Sequence, residues 1–191
     1  MGTISTVKST IGYGSKPEGR PDTDFYRTPE IATEKLLEKE SFTGVIWEPA
    51  CGDGAISKVL IEKGYNVLSS DLYNHGYGVP NIDFTNVSNV YDWKSIITNP
   101  PYNLAREFID KGLELTKHND GKLALLLRLS FLEGQKRKAL FETSPLKRVY
   151  VFSKRITFSR PGETRELSGM MAYAWFVWDW THTDEPVLGW I

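Results

Sequence analysis

Residues 122–129, KLALLLRL, form an almost unbroken apolar run of strand length. A strand wetted on one face alternates polar and apolar side chains. A run without that alternation belongs in a sheet covered on both faces. The rest of the chain fits such a sheet. Short apolar segments at 44–48, 66–71, 94–98, 147–152 and 171–178 read as strands, with a brief further strand at 81–84. Between them lie helix-length stretches: one opening at Thr28-Pro29-Glu30 with Thr28 as N-cap, one after Gly54 that Gly64 ends, one carrying Phe108, Ile109 and Leu113, and one over 132–142. Strands alternating with helices of this length predict an α/β fold, doubly wound around a mainly parallel sheet. The last two strands have no helix between them and are expected to pair antiparallel. Residues 1–23 are rich in Gly, Ser, Thr and Pro without periodicity and read as a flexible N-terminal arm.

Two turns carry the chemistry. EPACGDG, residues 48–54, follows the first strand and opens a helix. Glycines there let a ligand approach the backbone, and the helix N-terminus offers unpaired N–H groups. Asp71 stands at the tip of the second strand, about 20 residues on, where an acid suits the hydroxyls of a ribose. The spacing G-x-G-x-x-G is absent, which disfavours a dinucleotide oxidoreductase. The second turn, Asn99-Pro100-Pro101-Tyr102, closes a strand on the same sheet edge. An aromatic amino group is a poor nucleophile because its lone pair is delocalised into the ring. The Asn99 side-chain oxygen and the Pro100 carbonyl can accept its two hydrogens and localise that pair. Pro100 and Pro101 fix the backbone, so these acceptors are preorganised. Tyr102 offers a flat face for a base.

Together the two turns resemble the adenine-specific DNA methyltransferases, particularly their small phage-type members with Asn-Pro-Pro-Tyr. The resemblance covers most of the chain from Asp24 onward. It implies a Rossmann-like class I methyltransferase fold with a seven-stranded sheet and an antiparallel last strand, and S-adenosylmethionine as cofactor. In DFYRTP, Tyr26 and Thr28 would border the methionine end of that cofactor. Glu48, Ala50, Gly52 and Gly54 match the family's cofactor turn, Asp71 its ribose acid, Leu72 and the pair Asp83-Phe84 its adenine contacts. Asn99 would touch the cofactor as well as the target. SKRITF, residues 153–158, resembles the segment whose aromatic clamps an extruded base, the role this implies for Phe158. The larger members carry a separate target-recognition domain. Residues 24–191 are expected to form one domain without it, leaving residues 159–169, the tail and the 72–82 loop to contact the target.

Overall charge gives no case for a nucleic-acid partner, but its placement along the chain does. The net charge is only −1, but residues 121–160 hold ten Lys/Arg against two acids. On that segment Lys154 and Arg155 would bind phosphates, with Arg160, and beyond the segment Arg165, as further DNA contacts, Arg165 reading a guanine. A single cysteine excludes an internal disulfide and points to the cytoplasm. The apolar runs are too short for a membrane span, and the three scattered histidines predict no metal site. Adenine in RNA and glutamine in protein remain as alternative targets, since both present a delocalised nitrogen. A non-catalytic cofactor-binding module is disfavoured by the intact Asn99, Pro100 and Tyr102.

Overall fold

The structure, a computed structural model, describes residues 26–88, 93–159 and 171–191. The expected arm and the candidate contacts Arg160 and Arg165 lie outside the described residues. The elements run α1 (Glu30–Leu37), β1 (Val45–Glu48), α2 (Ala55–Glu62), β2 (Asn66–Ser69), β3 (Trp93–Thr98), α3 (Ala105–Lys117), β4 (Lys122–Arg128), α4 (Gln135–Thr143), β5 (Leu146–Val151), β6 (Tyr173–Asp179) and β7 (Val187–Trp190). They build one seven-stranded sheet in the order β2-β1-β3-β4-β6-β5-β7.

The apolar run at β4 is central, and its side chains serve two cores. Leu123, Leu125 and Leu127 enter a cluster with Phe108 and Ile109 of α3 and Leu140 of α4. Ala124 and Leu126 enter another with Ala32 and Leu36 of α1 and Ile56 and Leu60 of α2. Helices therefore cover both faces, as the sequence requires. β6 does the same with larger side chains. Phe176 and Trp178 face the α3 side, Trp175 and Val177 the α1 side, and all four are fully buried. Residues 174–178 are thus core. Trp175 Nε1–H donates to the Ala32 carbonyl at 2.7 Å, which fastens α1 to the sheet.

Four details depart from expectation. Residues 84–86 form a 3-10 turn, not a strand. The Asp83 carboxylate accepts from the Thr85 backbone N–H at 3.0 Å, a local bond that competes with strand pairing. The seventh strand is instead β7, absent from the sequence reading. It runs parallel to β5, so the antiparallel strand is the sixth and not the last: β6 opposes both β4 and β5. Pro29 and not Thr28 occupies the N-cap of α1, its carbonyl accepting from the Ala32 N–H at 2.9 Å, while the Thr28 hydroxyl is engaged by Asn99. A further shift is small: α4 starts at Gln135, three residues later than the periodicity suggests.

Candidate functional site

The C-terminal ends of β1, β2 and β3 open onto a cavity of about 530 Å³. Loops at strand ends on both sides of the point where strand order reverses are the usual ligand crevice of such sheets. Of the residues expected to bind the cofactor, Tyr26, Thr28, Glu48, Ala50, Asp71, Leu72, Asp83, Phe84 and Asn99 line this cavity, and so do Pro100, Pro101 and Tyr102. Both turns singled out in the sequence therefore meet at one place.

Gly52 and Gly54 shape the wall without lining it. Gly54 caps α2 in the left-handed region, at φ 81°, and a Cβ there would fall 2.5 Å from the Tyr77 ring. Glycine thus permits both the turn and the close approach of the 73–78 loop. The Gly52 N–H donates to Asp71 Oδ2 at 2.8 Å, tying the first turn to the acid on β2. Asp71 Oδ1 accepts from Tyr73 N–H at 2.9 Å, and His75 Nε2 stands 3.8 Å from the same oxygen.

Glu48 is fully enclosed at the end of β1. Its Oε2 accepts from the Ser57 backbone N–H at 2.8 Å and from the Ser57 hydroxyl, so it caps the first turn of α2. Burial pushes its carboxyl up to about 8 against the lowering effect of Ser57, with Asp71 and Asp53 adding to the rise. Asp83 is held below the usual carboxylate range, chiefly by the Thr85 side chain. Phe84 is buried and packs between Trp47 and Phe108, with ring centroids 5.1 and 4.7 Å away.

At the second turn, Asn99 Nδ2–H donates to Thr28 Oγ1 at 3.0 Å. Its Oδ1 is buried and has no partner. The Tyr102 hydroxyl is also buried, beside the side chains of Tyr173 and Asn99, and burial drives it well above the ordinary phenol range. The Tyr102 ring lies 5.6 Å from that of Tyr173 and carries the Arg128 guanidinium 4.8 Å over its face. Phe158 does not line the cavity. It is buried, with its ring centroid 4.7 Å from that of Tyr173. Tyr173 thus joins the two aromatics expected to hold a base. Lys154 and Arg155 are exposed.

Sequence reasoning missed several lining or supporting residues. Asp53, Tyr73, His75, Ile82 and Phe108 line the cavity, while Tyr173 and Arg128 support Tyr102. Asp53 lay inside the recognised turn between two glycines. Tyr173 carried no separate signal, because it begins an aromatic core strand. No group of His, Cys, Asp and Glu able to hold a metal ion occurs among the described residues. No helix among them is long and apolar enough to cross a membrane.

No protein-family model matches the sequence, and neither does any curated protein. Solved structures do match. A Pyrococcus horikoshii protein described as a candidate RNA methyltransferase superposes with a TM-score of 0.61 at 15% identity, covering 82% of this chain and 86% of that one. The modification subunit of a candidate type I restriction enzyme from Vibrio vulnificus gives 0.60 at 13% identity, over 89% of this chain but only 48% of its own. The 23S rRNA methyltransferase ErmE gives 0.53 at 14% identity, over 85% and 71%. The chain therefore has the Rossmann-like fold seen in these methyltransferase structures.

Proposed function

We propose that this protein transfers a methyl group from S-adenosylmethionine to the exocyclic amino group of adenine in DNA. The observation that carries the reading is the unpartnered, buried Asn99 Oδ1 in the cavity. Leaving a buried acceptor unpaired costs roughly 1–3 kcal/mol, so the site lacks a donor that its ligand would bring. The cavity fits the cofactor by the same reasoning: acids stand where a ribose and an amino acid need them, and Phe84 offers an apolar wall to a purine.

The cofactor supplies an electrophilic methyl group on a sulfonium. The chain's own contribution is to prepare the nucleophile. Thr28 takes the Asn99 amide N–H, which turns Oδ1 toward the substrate. Asn99 Oδ1 and the Pro100 carbonyl then accept the two amino hydrogens, and the nitrogen lone pair leaves conjugation with the ring. Tyr102, braced by Arg128 and Tyr173, stacks on the base. Because the amino group is out of reach inside a duplex, the adenine is turned out of the helix. Lys154, Arg155, Arg160 and Arg165 meet the DNA backbone and its edges.

DNA is supported by the Asn-Pro-Pro-Tyr turn and by the likeness to a restriction-modification subunit. The likeness to ErmE favours adenine in RNA as the second reading. One experiment separates them: incubation of the protein with methyl-labelled cofactor and DNA, RNA or glutamine-containing peptide, followed by nucleoside and amino-acid analysis. N6-methyladenine in the DNA digest is expected. Label confined to RNA or glutamine would replace DNA as the substrate, and label nowhere would end the enzymatic reading.

A further inference from the structure

The acids around the cavity are unequally committed. Glu48 is bound by Ser57 and keeps its proton up to about pH 8. Asp71 spends one oxygen on the Gly52 N–H and the other on the Tyr73 N–H. Asp83 is taken up by Thr85 and Asn86, whose side-chain amide donates to Oδ2 at 2.6 Å. Asp53 differs. Its Oδ2 faces Arg27 Nη1 at 3.5 Å, but its Oδ1 is buried and accepts no hydrogen bond. Arg27 does not neutralise it fully, because the same guanidinium pairs with Glu30 at 3.3 Å. The nearby Lys58 ammonium is spent on the Asp53 backbone carbonyl, at 2.7 Å.

A carboxylate oxygen out of water and without a donor is a vacancy for a charged donor. Asp53 lines the cavity, and its place there is defined by Arg27. The chain neighbours of Arg27, Tyr26 and Thr28, line the cavity too, and Thr28 holds Asn99. Asp53 therefore belongs to the end where Asn99 awaits the reacting group. We infer that Asp53 Oδ1 is the seat of a ligand ammonium group. Resting on the function proposed above, that group is the α-ammonium of the cofactor's methionine end. Glu48, the acid of the same turn that the sequence favours, keeps its proton at neutral pH and has one oxygen taken by Ser57, so it brings no negative charge to an ammonium. Asp53 thus discriminates S-adenosylmethionine and S-adenosylhomocysteine from nucleosides that share the adenosine but lack the amino acid.

Calorimetry on the full chain at neutral pH tests this with two probes, S-adenosylhomocysteine and 5′-methylthioadenosine, on wild type and Asp53→Asn. The amide keeps the shape of the turn and removes the charge. Loss of one charged hydrogen bond is expected to weaken S-adenosylhomocysteine by about tenfold or more, with 5′-methylthioadenosine unchanged. Undiminished S-adenosylhomocysteine binding in the variant would overturn the inference while leaving the cofactor reading intact. Equal weakening of both probes would also overturn it, by showing that Asp53 only holds the turn. If the wild type binds neither probe, the cofactor reading falls and this inference with it.

Discussion

Asn99 and Thr28, 71 residues apart in the chain, meet through a 3.0 Å hydrogen bond in which the amide nitrogen of Asn99 is the donor. The bond fixes which end of the amide faces the cavity. Asn99→Ala is expected to keep S-adenosylhomocysteine binding and lose methyl transfer by about 100-fold or more, as for removal of one preorganised polar group. Thr28→Val keeps the shape and frees the amide to rotate. Its kcat should fall, with recovery in Thr28→Ser. Steady-state kinetics on labelled DNA measures both, and wild-type turnover in Asn99→Ala would end the proposed mechanism.

Asp71 has two duties, the expected ribose contact and its bonds to the Gly52 and Tyr73 backbone. Asp71→Ala should weaken S-adenosylhomocysteine by roughly 1–3 kcal/mol. It should weaken 5′-methylthioadenosine as much, since both ligands carry the ribose. Calorimetry with the two ligands shows whether the ribose is where Asp71 puts it.

Glu48 makes stability depend on pH. Its carboxyl titrates near 4.5 in the unfolded chain and near 8 when folded, so the native state keeps a proton that the unfolded state gives up. The stabilisation is complete below about pH 4.5 and is lost as pH rises toward 8, at no more than about 1.4 kcal/mol per unit. Glu48→Gln retains an acceptor for Ser57 without the proton equilibrium. Its Tm should exceed that of wild type at pH 8, with the gap closing by pH 5. Parallel Tm curves for the two proteins would mean that Glu48 is not held protonated.

Tyr102 and Phe158 both touch Tyr173, so a base against one is felt by the other. A fluorescent purine at the target position should brighten when the protein binds DNA, as it leaves the stack. Tyr102→Ala should diminish the rise. Phe158→Leu, which retains most of the buried volume, should diminish it as well. A full rise in both variants would mean that the cluster of Tyr102, Tyr173 and Phe158 does not hold the base.

Much of this was legible in the sequence because it rests on local patterns. The two-sided apolar run at β4, the glycine turn after β1 and the double proline after β3 each specify their own backbone. What escaped depends on pairing between distant segments or on side chains working locally. Residues 187–190 hold only four positions, one of them glycine, and become a strand because β5 offers its edge. The segment at 81–84 looked extended, but Asp83 turns it by bonding to Thr85. The Thr28–Asn99 bond and the free oxygen of Asp53 are tertiary facts. No spacing in the chain announces them.

The insertion of β6 between β4 and β5 has a consequence for synthesis. β5 has only β6 and β7 as neighbours in the sheet, and both come later in the chain. On the ribosome, the first four strands can assemble as they emerge, since each pairs with a strand already made or next to be made. β5 cannot. Leu146, Val149 and Tyr150, buried in the finished protein, stay without a strand partner until Asp179 has left the exit tunnel. Waiting apolar strands are the ones that stick to other chains. The vulnerable interval in the life of this molecule is therefore the translation of its last quarter, the period when a chaperone would have most to hold.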